Sequence, residues 1–143
     1  TTYHQSAKPR REHCVSTDEN SLEGNDLHWL AGLLEGEGSF FVSTSGGKRA
    51  PAIRISLQMV DREPVEKAAK LMGREVKKYR PYGKNRSPTY TTGMYGSNAL
   101  ETMKKLRPLL SPRRQKQIDR CIEAENDRTE TRIQKRIARK RRV

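Results

Sequence analysis

The stretch that decides the fold reads Leu30-Ala31-Gly32-Leu33-Leu34-Glu35-Gly36-Glu37-Gly38 and continues into Ser39-Phe40-Phe41. Leu27, Leu30 and Leu34, at spacings of three and four, make one apolar helical stripe, and Asn25 or Asp26 is placed to cap its free amides. Gly32 and Gly36 inside such a helix each cost roughly 1 kcal/mol relative to alanine. Four residues apart, they share a face, and the cost is offset where a second backbone packs closely against that face. Glu35 and Glu37 lie about 200° apart around the helix, so they cannot serve one partner. Glu37 falls in the last turn, where the helix dipole already places partial negative charge; a bound cation would turn that penalty into a gain. The plain alternative is a helix end that frays at a glycine, with Glu37 an ordinary exposed acid and Glu35 pairing or capping nearby. Gly38 ends the helix.

Working outward, Ser39 to Thr44 is β-rich, and Ser45-Gly46-Gly47 and Pro51 lead into Ala52 to Met59, which predicts a hairpin. In its second strand Ile53, Ile55, Leu57 and Met59 alternate with Ala52, Arg54, Ser56 and Gln58, one face for a core and one for hydrogen bonding. Asp61 is positioned to cap a second helix carrying Val65, Ala68, Ala69 and Met72, which Gly73 stops. Residues 74–95 form a second β-rich block with Arg74, Lys77, Lys78, Arg80, Lys84 and Arg86 interleaved with tyrosines, turning between Gly83 and Pro88. Asn98 and Glu101 suggest a capping box for a third helix holding Leu100, Met103 and Leu106. Ser111-Pro112 opens a fourth, with Ile118 and Ile122; beyond Glu123 its apolar residues thin to Ile133 and Ile137. The order is helix, two strands, helix, two strands, two helices.

The 143 residues suffice for one domain with one core. Three spans are expected: a flexible arm over 1–24, the domain over 25–126, and a basic extension over 127–143. Lys and Arg number 30 against 17 Asp and Glu, a net charge of +13, which calls for a polyanionic partner. Charge alone does not choose among nucleic acid, anionic membrane and acidic protein. The longest apolar run, Leu27 to Leu34, is far short of the roughly 20 residues of a spanning helix, so no membrane partner is expected. No secretory layout stands out, and Cys14 and Cys121 supply neither a disulfide framework nor a zinc site. An intracellular protein is expected.

The opening stretch closely resembles the namesake motif of the LAGLIDADG homing endonucleases. Leu30 to Leu33 match letter for letter, Leu34 replaces isoleucine, Glu35, Gly36 and Glu37 stand for Asp, Ala and Asp, and Gly38 matches. The resemblance extends over roughly Leu27 to Ile122 through the element order. It implies an α+β fold, αββαββα with an extra C-terminal helix, whose antiparallel β saddle rides on DNA. One motif in the chain implies a homodimer, with Leu30, Gly32, Leu33 and Gly36 at its interface, acting on a long pseudo-palindromic duplex. The implied activity is metal-dependent cleavage of both strands by an intron-encoded enzyme, with Mg²⁺ (Mn²⁺ substituting) held by Glu37 and the Gly36 carbonyl. Asp61 matches a position that orders water beside the metals, or is simply a helix cap. Arg114 or Lys116, with Arg113 as a third candidate, matches a cation near the scissile phosphate, or is a solvated first turn. The DNA-facing set is Lys48, Arg49, Arg54, Ser56, Gln58, Lys77, Tyr79, Arg80, Lys84 and Arg86, each of which otherwise reads as a solvated strand face. Both acids being Glu adds a methylene that shifts metal geometry. The rival functions are a non-cleaving regulator on this fold and an RNA maturase assisting splicing.

Overall fold

Alternation along the strands and apolar stripes along the helices sort the chain into a sheet covered on one side. The computed structural model describes residues 22–43, 52–83 and 85–142. The elements are α1 (Gly24–Glu37), β1 (Gly38–Ser43), β2 (Ala52–Met59), α2 (Arg62–Met72), β3 (Lys77–Tyr79), β4 (Thr89–Tyr95), α3 (Gly96–Leu106), a 3-10 turn (Arg107–Leu109) and α4 (Pro112–Arg141). The strands form one antiparallel sheet ordered β1-β2-β4-β3. Lys48, Arg49, Lys84, the turn at Ser45 to Gly47 and residues 1–21 of the expected arm lie outside the described residues.

The core side of the sheet carries Phe40, Ile53, Ile55, Leu57 and Met94. Against it pack Leu30 and Leu34 of α1, Val65 and Ala68 of α2, Met103 and Leu106 of α3, and Ile118 and Cys121 of α4. Burying an aliphatic side chain contributes about 1.5–3 kcal/mol relative to exposure, so this layer is the main source of stability. Leu22, assigned above to the arm, is buried in the same cluster, so the packed unit starts before residue 25. Arg107 donates twice to Asp119, at 2.8 and 3.1 Å, fastening the 3-10 turn to α4. Among the described residues no helix is long and apolar enough to cross a membrane.

The polar caps expected at α1 and α3 do not form. The N-cap positions are Glu23 and Tyr95, neither making a side-chain capping bond. Instead Gly96, at φ 70°, turns the chain straight from β4 into α3, so that helix starts two residues before Asn98 and has no use for a capping box. α4 begins as expected, with Ser111 accepting from the Arg114 amide. Its second half, where the apolar residues thin, is a solvated extension of the same helix: α4 runs unbroken to Arg141, and residues 127–141 continue it.

Gly93 is required by close approach. A Cβ there would lie 2.2 Å from the Ile55 carbonyl oxygen on the neighbouring strand. Gly93→Ala is therefore expected to lower stability by at least about 3 kcal/mol, the upper range for overpacking; urea denaturation checks this, and a loss under 1 kcal/mol would contradict the packing described.

Candidate nucleic-acid interface and acidic site

Because successive strand residues point to opposite faces, the register decides what the uncovered side of the sheet presents. Phe41, Arg54 and Tyr95 form one row across β1, β2 and β4; Ser39, Ser56 and Gly93 form the next; Gln58, Thr91 and Lys77 follow on β2, β4 and β3; Thr89 and Tyr79 complete it. Gln58 Nε2 donates to Thr89 Oγ1 at 2.8 Å. The expected residues Arg54, Ser56, Gln58, Lys77 and Tyr79 thus share one face. Arg80 and Arg86 lie beyond the strand ends in the β3–β4 connection, both exposed. Lys78 points the other way, towards Tyr90.

Arg74, Thr91 and Tyr95 also belong to this face, although the sequence reading left them out of the site. The Arg74 guanidinium lies 5.0 Å from the Tyr95 ring centre, and its Nε donates to the Gly93 carbonyl at 3.2 Å. With Arg54, Lys77 and Tyr95 it lines a shallow trough of about 680 Å³. Extending the two-residue period from Tyr95 back to Thr89 would have found the β4 residues. Arg74 follows Gly73 outside any periodic element, so no such signal marks it.

At one end of the sheet α1 stops against the start of α4. The last carbonyls of a helix lack partners within it. Here Arg114 supplies them: Nε and Nη2 donate to the Glu35 carbonyl at 3.1 and 3.0 Å, and Nη1 to Gln117 Oε1 at 3.0 Å. The Glu35 carboxylate accepts from the Ser111 amide at 2.7 Å, and its other oxygen lies 3.5 Å from Arg114 Nε. Hydrogen bonding from Ser111 holds the Glu35 carboxyl below its ordinary range, against the opposing effect of burial and with help from the charges of Arg114 and Arg113. The pairing role expected for Glu35 is the one observed.

This corrects the expectation for Arg114. Its guanidinium is buried and committed to Glu35 and Gln117, so it does not present a free charge to a phosphate. Arg113 and Lys116 lie on the exposed side of the same turn. Leu30 needs correction as well. It is fully buried in the chain's own core, about 200° around α1 from Gly32, and has no surface to offer a second copy. Gly32 and Gly36 are exposed with open space where their side chains would be, and Leu33 beside them is half-buried.

Glu37 is exposed and, among the described residues, its side chain makes no hydrogen bond or ion pair. Gly38 pairs with Leu57, so the residue before it lies at the end of β2 that leads through Val60 to Asp61. Asp61 occupies the N-cap position of α2 in extended conformation, yet its side chain caps nothing. Glu37, Asp61 and the first turn of α4 are thereby gathered at one end of the sheet, with two free carboxylates and two free cations.

The sequence matches no known protein-family profile. No curated protein matches it. Among solved structures 11 chains match. One is the homing endonuclease I-CvuI in complex with its target (Sro1.3) in the presence of 2 mM Ca, at 17% identity, covering 65% of this chain and 60% of that one, TM-score 0.51. The fold is that of a homing endonuclease. A second is I-CvuI in complex with the I-CreI target (C1221) in the presence of 2 mM Mg, revealing DNA not cleaved, with the same identity and coverage and a TM-score of 0.50. The chain spans about 60% of the length of these structures. The α+β architecture expected from the LAGLIDADG-like motif is the one observed, while at this identity the role of each side chain rests on its own geometry.

The α1–α4 junction makes a direct prediction. Arg114→Ala should lower stability by about 2–3 kcal/mol, the scale of hydrogen bonds that involve charged groups, whereas Arg113→Ala should change it by under about 0.5 kcal/mol. Chemical denaturation of the two variants side by side tests this; equal effects would show the junction to be energetically idle.

Proposed function

We propose that this chain is a metal-dependent DNA endonuclease that acts as a homodimer on a long pseudo-palindromic duplex. The observation that carries the reading is the pairing, on one helix, of an uncovered Gly32/Gly36 face with an unpaired Glu37 at its end. A second copy crossing α1 at the glycines brings two Glu37 carboxylates together across a two-fold axis, and a two-fold protein matches a two-fold site. The outer sheet face, with Arg54, Gln58, Arg74 and Lys77, then lies in the major groove, where Arg reads guanine and Gln reads adenine.

The donors suit Mg²⁺: Glu37 carboxylates and Gly36 carbonyls are the hard oxygen ligands this ion takes. Once bound, such an ion supplies activation of water and stabilisation of the leaving oxygen. The protein's own part is positioning. Asp61 accepts hydrogen bonds from water at the sheet end, and Arg113 and Lys116 face the charge of the scissile phosphate. The added methylene of Glu relative to Asp lets Glu37 reach further from the helix end. A non-cleaving regulator or a maturase would share the sheet but has no need for free acids at a glycine crossing.

The deciding experiment is a cleavage selection on a randomised duplex library, with Mg²⁺ or EDTA, comparing wild type with Glu37→Gln. Metal-dependent cuts at one pseudo-palindrome, lost in the variant while binding persists, are expected; enrichment without strand breaks would overturn the nuclease reading. Separately, Gly32→Leu should leave the monomer folded, since nothing lies within 4 Å of the position, yet abolish the dimer. A variant still dimeric by sedimentation would remove α1 from the interface.

A further inference from the structure

We propose that the free half of α4 is a second DNA-holding element, a basic helical arm that takes the phosphodiester backbone of the duplex outside the stretch covered by the sheet. The inference rests on the duplex-binding reading above and goes beyond it. α4 packs on the domain through Arg114, Ile118 and Cys121, and its last half-buried residue is Arg128. Every described residue from Thr129 onward is exposed. The helix nonetheless continues to Arg141, about 20 Å past the packed part at 1.5 Å per residue.

The composition of that arm is one-sided. After Glu130 the chain has no acid. Arg132, Lys135, Arg136 and Arg139 fall at i, i+3, i+4 and i+7, one continuous stripe of the helix. Among the described residues none of the four side chains takes part in an ion pair or hydrogen bond. Like charges four apart, as at Arg132 and Arg136 or Lys135 and Arg139, oppose helix formation, and an isolated helix this short is marginal in water. A row of phosphates removes that repulsion and returns condensed counterions to solution. A second copy of the arm is the less suitable occupant. Its apolar contact would consist of Ile133 and Ile137 alone, half-exposed and flanked by Arg136 and Lys140, so parallel pairing sets cation against cation.

The test uses full-length protein carrying Arg132→Gln, Lys135→Gln, Arg136→Gln and Arg139→Gln together, glutamine being a comparable helix former, beside a sheet variant, Arg54→Gln with Lys77→Gln. Binding to a target-length duplex and to one extended on both sides is followed by fluorescence anisotropy across salt concentrations, with circular dichroism as the fold control. On the extended duplex the arm variant should lose slope in log K against log salt, by about 0.9 for each phosphate contact and up to roughly 3.6 per chain, with little change on the short one. An unchanged slope on the extended duplex, with the sheet variant still impaired, overturns the arm and leaves the DNA reading intact. Loss of slope without cleavage by wild type sustains the arm and overturns the nuclease. If the arm variant weakens only single-stranded RNA binding, or only the dimer, the duplex backbone is not its partner.

Discussion

The geometry of the candidate site depends on how α1 is brought to a stop. Its final turn leaves carbonyls that no later amide in the helix can reach. Arg114, from the first turn of α4, fills that gap with two donors on the Glu35 carbonyl, while the Ser111 amide at the opposite helix terminus finds its acceptor in the Glu35 carboxylate. One residue thus satisfies donors from another helix with both its backbone and its side chain, across 76 residues of sequence. Glu37 is two residues further on, so the direction of its carboxylate follows from this junction.

The remaining architecture repeats a division into an inward and an outward face. α1 buries Leu30 and Leu34 and leaves Gly32 and Gly36 uncovered. The sheet buries Ile53, Ile55 and Leu57 and leaves Arg54, Ser56 and Gln58 outside. α4 divides along its length, with a packed first half and a charged second half. Each outward surface is too polar or too bare to stabilise the single chain. The function proposed above would give each a partner: a second backbone for the glycines, and phosphates for the cations. A chain of net charge +13 that buried its cations would face large desolvation penalties; among the described residues Arg114 is the one buried cation, and it is hydrogen-bonded.

Much of this was legible residue by residue. The alternation from Ile53 to Met59 had to form a two-faced strand because the pleat imposes a period of two. Two glycines four apart in a leucine-rich helix had to leave a bare stripe. The starts of α1 and α3 were not legible in the same way. A search for polar caps picks Asn25 or Asp26 for α1 and Asn98 for α3, whereas the chain uses positive-φ glycines at Gly24 and Gly96, which need no side-chain bond. Leu30 was misplaced because periodicity says that a residue is apolar and on a stripe, but not which stripe meets the chain's own core.

What the sequence by itself determined is the set of elements, their two-sidedness, the excess of positive charge and the acid at the end of a glycine-bearing helix, all consequences of neighbours within a few positions. Only the tertiary structure decided that, of Arg113, Arg114 and Lys116, the middle one turns inward, that Arg74 joins the outer face of the sheet, and that Asp61 is left free. Those outcomes depend on partners such as Glu35, Gly93 and Tyr95, brought close by packing from positions far along the chain, where no local period records them.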